Sequence, residues 1–227
     1  MPITLAVAQP RIHSFALADN VLAHADLVRA AGARVVVFPE LSLTGYEHTA
    51  PPVAEDSEAL RPLVQACATT GSLALVGAPA DGHIAVLAVD GGGARVVYRK
   101  MCLTEDEARH FRPGTAPAVL TVDGVRLGLA VCKDTGHPEQ AEATAALGID
   151  VYVAGVVQTA DRTGVQHGRA RAVAAKYDVW AATASFAGPT GEGITDTAGR
   201  SGIWRPGGEL VVAAGAEPGE FVRAEVG

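Results

Sequence analysis

The chain has little cysteine, few aromatics and no clustered charge of either sign. Cys67, Cys102 and Cys132 are the 3 cysteines among 227 residues. They are odd in number and at no metal-ligand spacing, which argues against a disulfide framework and against a zinc site. Lys and Arg total 18 against 25 Asp and Glu, a net charge of -7 with no basic run. This balance speaks against nucleic acid or an anionic membrane surface as partner. No apolar run approaches the roughly 20 residues that cross a bilayer. The N-terminal stretch lacks the basic-then-apolar pattern of a secretion signal. "GGG" at Gly91 opens no helix in a G-x-G-x-x-G context and no "GxxxxGK[ST]" occurs, so a nucleotide-binding fold has poor support. These absences point to a reduced, cytoplasmic enzyme or binding protein.

What is present is an ordinary globular composition, 48% apolar and 19% charged, on a chain long enough to bury a substantial core. "ITLAVAQP" reads as a buried strand, and the stretch after it places Val21, Leu22, Ala25 and Val28 on one helical face with Gly32 as a C-cap. "RVVVFPE" is β-branched and continuous, as a strand covered on both faces should be. A helix is expected over Glu58 to Thr70, then strands "SLALVGAPA", "HIAVLAVD" and "ARVVYRK". The second half repeats the alternation. A hairpin turns about Asp123-Gly124, a helix opens at Pro138, "IDVYVAG" and "VWAATAS" are strands, and "VQHGRARAVAAKYD" is the helix between them. The Gly- and Thr-rich "GPTGEGITDTAGRSG" reads as a loop near a site, followed by the strand pair "GIWRP" and "ELVVAAG". The class is α/β with a mixed sheet, in one domain over residues 1–227.

Three apolar strands end in reactive polar residues: "VVVFPE" in Glu40, "RVVYRK" in Lys100 and "LGLAVC" in Cys132. Groups at the carboxyl ends of strands in such sheets converge on the crevice where ligands bind. A thiol needs a base to become a nucleophile, which Glu40 supplies. The oxyanion formed by its attack needs positive charge, which Lys100 supplies. Taken singly, each has a bland reading: a core cysteine, a strand-end glutamate, a solvated lysine.

The three contexts together resemble the nitrilase superfamily of carbon–nitrogen hydrolases. "FPELSLTGY" from Phe38 to Tyr46 matches the stretch that carries that family's catalytic glutamate. Tyr98, Arg99 and Lys100 match its "Y-R-K", and Cys132, Asp134, Pro138 and Glu139 match its "C-x-D-x-x-x-P-E". The order is the family's, and the likeness runs from "LAVAQP" to "GEFVRAEV". A second family glutamate lies between the lysine and an "F-x-P-G". Glu107 takes that place from its distance to Pro113, with Glu105 as the other choice.

The resemblance implies a four-layer α-β-β-α sandwich with mixed sheets, assembling as a homodimer or higher homo-oligomer through outer-layer helices. It implies a hydrolase of non-peptide C–N bonds, an amidase acting on a small-molecule amide through a thioester, with no metal or organic cofactor. The backbone N–H of Lys133 would join Lys100 at the oxyanion. Tyr46, against the catalytic glutamate, and His137 and His167, on opposite walls, are the candidate substrate contacts. The chain departs from nitrilases in having Lys133 where they carry Trp. It departs from amino-acid carbamoylases in having Thr135, Gly136 and His137 where they place Arg. "RAVAAK" over Arg171 to Lys176 replaces a late "R-A-x-E-N". The alternatives are an N-carbamoyl amidohydrolase and, in a different class, a non-catalytic ligand-binding protein on the same scaffold.

Overall fold

A computed structural model describes all 227 residues. Two six-stranded sheets lie face to face, each covered on its outer side by helices, in the α-β-β-α order that the family resemblance implies. The first sheet runs β12-β1-β2-β3-β4-β5 and the second β11-β10-β9-β8-β7-β6.

Each half of the chain is built the same way. In the first, β1 (Ile3–Ala8), β2 (Val35–Val37) and β3 (Leu73–Ala80) are parallel, with α1 (Leu17–Ala31) and α2 (Arg61–Thr70) as crossovers. β4 (His83–Asp90) and β5 (Gly93–Arg99) then continue antiparallel. In the second, β6 (Ala118–Val122) pairs antiparallel with β7 (Val125–Val131), and β7, β8 (Val151–Val156) and β9 (Trp180–Ser185) are parallel. Their crossovers are α3 (Pro138–Ala145) and α4 (Thr163–Tyr177). β10 (Gly202–Trp204) and β11 (Leu210–Ala213) finish that sheet, and β12 (Phe221–Val226) returns to pair with β1.

The strand alternation sorts the core into layers. Leu5, Val7, Val35, Val37, Leu127, Leu129, Val151 and Val153 face inward between the sheets. Ala6, Ala8, Val36 and Ala74 face the other way, against Val21, Ala25 and Val28 of α1 and Leu63 and Cys67 of α2. Cys67 is thus a core residue, as cysteine often is. The cover over the second sheet is thinner: Ala170 and Ala174 of α4 close on Ala181 and Trp204. Gly32 is the left-handed C-cap of α1 that the sequence predicts, and Asp123 and Gly124, both at positive φ, make the tight β6–β7 turn.

One element differs from expectation in a way that matters for the site. β2 stops at Val37, three residues short of Glu40, because Pro39 has no N–H to continue a ladder. The segment Phe38–Leu41 therefore leaves the sheet and passes between Gly77 of β3 and Gly155 of β8. A Cβ at Gly155 would lie 2.5 Å from the Phe38 carbonyl oxygen, and one at Gly77 would collide with Leu41 N and Pro39 O. Both glycines are close-approach positions. Gly155→Ala is expected to cost about 1–3 kcal/mol by overpacking, read as a lowered urea midpoint at unchanged slope. An unchanged midpoint would mean that the Glu40 segment moves aside freely.

Candidate active site

Glu40, Lys100 and Glu107, from three separate segments, meet in a buried cluster. Lys100 Nζ donates to Glu40 Oε1 at 2.6 Å and to Glu107 Oε1 at 2.7 Å, and all three side chains are essentially inaccessible. Tyr46 Oη donates to the same Glu107 oxygen at 3.3 Å. Glu107 Oε2 accepts from Thr104 N at 2.8 Å, while Glu107 N donates to Thr104 Oγ1 at 3.2 Å, a reciprocal pair that fixes the short turn carrying it. Glu105 faces solvent, so Glu107 is the acid that reaches the lysine.

The loop from Lys100 to Gly114 is closed by the predicted "F-R-P-G". Gly114 N donates to Lys100 O at 2.7 Å, and a Cβ there would strike the Arg99 carbonyl. The Glu40 loop is tied down from α1: Asn20 Nδ2 donates to Leu43 O, and the His24 ring bonds Ser42 Oγ at 2.8 Å. Burial holds the His24 ring down at about 4, so it is neutral near pH 7.

Cys132 directly follows β7 and begins a 3₁₀ turn over Cys132–Gly136, at φ 41. A non-glycine residue in the left-handed region is strained and survives only where its surroundings hold it. Here Asp134 does so. Its Oδ2 accepts from Val131 N at 2.9 Å and from Tyr98 Oη at 2.8 Å, and its Oδ1 accepts from Cys102 N at 2.8 Å. Gln140 of α3 extends this network to Tyr98 and Tyr152. Cys132 is 9% exposed and its thiol donates to Val157 O at 3.3 Å. The thiol also lies within interaction range of the Glu40 carboxylate. Glu40 Oε2 is buried and without a hydrogen-bond partner.

The electrostatics follow from one cation serving two carboxylates in a desolvated space. Burial pushes Glu40 up to about 7, with Lys100 opposing and Glu107 adding to the rise. Glu107 is also penalised by burial, yet Lys100 and Thr104 hold it below the usual carboxylate range. Burial works against the Lys100 ammonium, but the surrounding negative groups outweigh it and keep it charged. Cys132 is pushed up to about 12 by burial and then by Glu40, so the resting thiol keeps its proton. Two carboxylates with opposite shifts assign themselves different chemistry: Glu107 stays ionised, and Glu40 exchanges a proton near neutrality.

The other sequence candidates lie elsewhere or act differently. His137, at the N-cap of α3, turns its Nδ1 to the exposed Glu139 at 2.9 Å, because the short 3₁₀ turn carries it away from the thiol to the surface. His167 on α4 bonds Arg200 O at 2.9 Å and packs edge-on to Trp204, outside the second sheet. Lys133 spends its amine on Leu103 O at 2.6 Å, bracing the loop that carries Glu107. Sequence reasoning misses the bracing role of Asp134 and also His48, a buried histidine two residues past Tyr46. Nothing in "GYEHTA" marks that ring as buried, since the segment has no strand or helix period.

This architecture is that of the nitrilase superfamily, and the chain belongs to the carbon-nitrogen hydrolase family, whose profile matches residues 4–226. Among solved structures, a mutant of the Nesterenkonia AN1 amidase is 26% identical with a TM-score of 0.86, covering 98% of this chain and 90% of that one. Nit3 from Saccharomyces cerevisiae has a TM-score of 0.85 over 99% of this chain and 90% of its own, at 19% identity, a likeness of fold. The glutamine-dependent NAD(+) synthetase of Thermotoga maritima is 29% identical over 170 residues, which is 66% of this chain. The match spans only 28% of that synthetase. No helix is long and apolar enough to cross a membrane.

The cluster generates a contrast in stability. Lys100→Ala leaves two buried carboxylates facing each other and is expected to cost about 3–5 kcal/mol. Glu40→Gln removes the carboxylate that burial already disfavours. At pH 8 its melting temperature should equal or exceed that of the parent, as replacement of strained site residues often gives. A Glu40→Gln loss as large as that of Lys100→Ala would overturn this assignment of the charges.

Proposed function

We propose that the protein is a cysteine-dependent amidase that hydrolyses a small amide and releases ammonia. The observation that carries this reading is a buried thiol in interaction range of a carboxylate raised to about 7, with a fixed ammonium hydrogen-bonded to that carboxylate. Glu40 takes the proton as Cys132 Sγ attacks the carbonyl carbon. The Lys100 ammonium and the Lys133 backbone N–H hold the oxyanion. Glu40 returns the proton to the departing nitrogen, the C–N bond breaks, and ammonia leaves a thioester. Water attacks the thioester with Glu40 again as base, releasing a carboxylic acid and restoring the thiol. Glu107, braced by Tyr46 and Thr104, keeps Lys100 charged and aimed.

The amidase from Nesterenkonia and the glutamine-dependent synthetases, whose names both point to an amide nitrogen, support an amide over a nitrile. Lys133 in place of the nitrilase tryptophan supports the same choice. A nucleophilic residue as buried as Cys132 favours a small substrate. Residues from both sheets build the cluster, which supports one domain over 1–227. An apolar groove of about 390 Å3 between α3 and α4, with Val165 exposed beside Val173 and Tyr177, supports assembly through that helical layer.

The test is an ammonia-release screen over aliphatic amides, ω-amides, carbamoyl compounds and nitriles. Cys132→Ala should abolish turnover with the fold intact, and Glu40→Gln should cost at least about 100-fold. Retained activity in Cys132→Ala would overturn the nucleophile assignment. Because Glu40 must be ionised to accept a proton, kcat/KM should rise with pH through about 7 and then level. That limb should vanish from the residual rate of Glu40→Gln, and a profile unchanged by the substitution would assign the limb to another group.

A further inference from the structure

The nucleophile and the charges that serve it are carried by different sheets. Glu40 follows β2 and Lys100 follows β5, both of the first sheet, and Lys100 N donates to Ile84 O of β4 at 2.8 Å. Glu107 lies on the loop that leaves β5. Cys132 follows β7 of the second sheet, and its thiol is bonded to Val157 O, just past β8 of that same sheet. The distance from thiol to ammonium is therefore an inter-sheet distance. Hydrophobic burial between the sheets is non-directional, whereas hydrogen bonds fix both direction and distance.

Asp134 makes such bonds to both sides. On the side of the second sheet, its Oδ2 accepts from Val131 N, the residue before the nucleophile, at 2.9 Å. On the side of the first, the same oxygen accepts from Tyr98 Oη, two residues before Lys100, at 2.8 Å. Its Oδ1 accepts from Cys102 N, two residues after Lys100, also at 2.8 Å. The lysine is thus gripped on both flanks by one carboxylate that stands two residues beyond the nucleophile. The Val131 bond closes the elbow on itself, while the bonds to Tyr98 and Cys102 reach across to the segment of the ammonium. Asp134 is fully buried and Tyr98 is 3% exposed, so water offers neither a substitute partner. Burial pushes the Asp134 carboxyl up, while its three donors and the Lys100 charge oppose the rise. A parallel tie lies one residue along each segment, where Lys133 Nζ donates to Leu103 O.

We propose that Asp134 is a positioning residue that pins the Lys100 segment to the nucleophile elbow and so sets the ammonium against the thiol across the two sheets. The proposal rests on the amidase reading above and adds how the two halves of that site are kept in register. Asparagine cannot replace it, since one acceptor oxygen remains for three donors and an NH2 group turns toward the rest.

The experiment uses the full chain and needs no identified substrate. The rate at which iodoacetamide alkylates Cys132 is followed by peptide mass spectrometry as a function of pH. In the parent that rate is expected to rise through about 7, as Glu40 becomes able to take the thiol proton. Tyr98→Phe removes a bond on the Lys100 side and leaves the Val131 bond in place. It should slow alkylation at pH 8 by about tenfold or more and flatten the rise. Asp134→Asn should do at least as much. The double variant should lose less than the product of the two single losses, because both cut the same bond. Melting curves taken alongside separate positioning from stability. Variants that melt lower but keep the parent's alkylation rate and pH profile make Asp134 a purely structural residue and overturn the proposal, leaving the amidase reading standing. Single losses that multiply in the double variant overturn it as well. If Asp134→Asn does not fold, Tyr98→Phe, which deletes one hydroxyl, carries the comparison of rate and profile. A parent Cys132 inert to iodoacetamide overturns the nucleophile assignment, and this proposal with it.

Discussion

Lys100 is the group on which the rest of the site depends. A fully buried ammonium is expensive, of the order of several kcal/mol even after relaxation, and is kept only where counter-charges and hydrogen bonds surround it. Glu40 and Glu107 supply both, from opposite directions and at hydrogen-bond distance. Yet one positive charge cannot satisfy two carboxylates in a dry space, and the imbalance falls on Glu40, whose second oxygen has no partner. The resulting carboxylate is neither firmly ionised nor firmly protonated near pH 7. Such a group can both accept and return a proton, which a well-solvated glutamate does poorly.

Holding these charges together requires backbone closeness that side chains would prevent. Gly77 and Gly155 let the Glu40 segment run between the sheets, and Gly114 lets the Glu107 loop close against Arg99. The same region carries three non-glycine residues in left-handed conformation: Leu41, Tyr46 and Cys132. Strain of this kind persists when the scaffold over-determines it. The Asp134–Tyr98–Gln140–Tyr152 network does that for the cysteine elbow, using α3 and β8 as its footing.

The alternation of strands and helices and the polar strand ends were legible in the residues, while the four-layer order followed from the family resemblance. Continuous β-branched runs mark strands covered on both faces, and a polar residue closing such a run has left the apolar layers for the crevice. Glu40 and Cys132 follow buried strands of that kind, β2 and β7, whereas Lys100 follows the partly exposed edge strand β5. Of the two acids that the spacing to "F-R-P-G" offers, Glu107 turns inward to Lys100 and Glu105 faces solvent. Proximity in sequence does not fix where a histidine lies. His137, five residues from Cys132, turns to the exposed Glu139, whereas His48, far from it in the chain, is buried beside Tyr46. Loop direction is set by long-range contacts, such as Gly191 on Gly45, and these leave no local periodicity. β2 ran short for a readable reason, Pro39, while the brace that Lys133 makes with Leu103 depends on a loop path that no local pattern encodes.

The pairing of β12 with β1 bears on how the chain reaches this state. Ile3 lies opposite Val226, and Gln9 exchanges hydrogen bonds with Gly219 and Glu220. The first sheet therefore gains its edge strand only after all its other strands have been synthesised. Contacts of such sequence separation slow folding, since the loop entropy is lost before the pairing rewards it. Until that strand docks, β1 is an open edge with unpaired backbone groups, the kind of surface on which chains pair with one another. Crowded synthesis would then expose this protein to aggregation through β1 rather than through its loops.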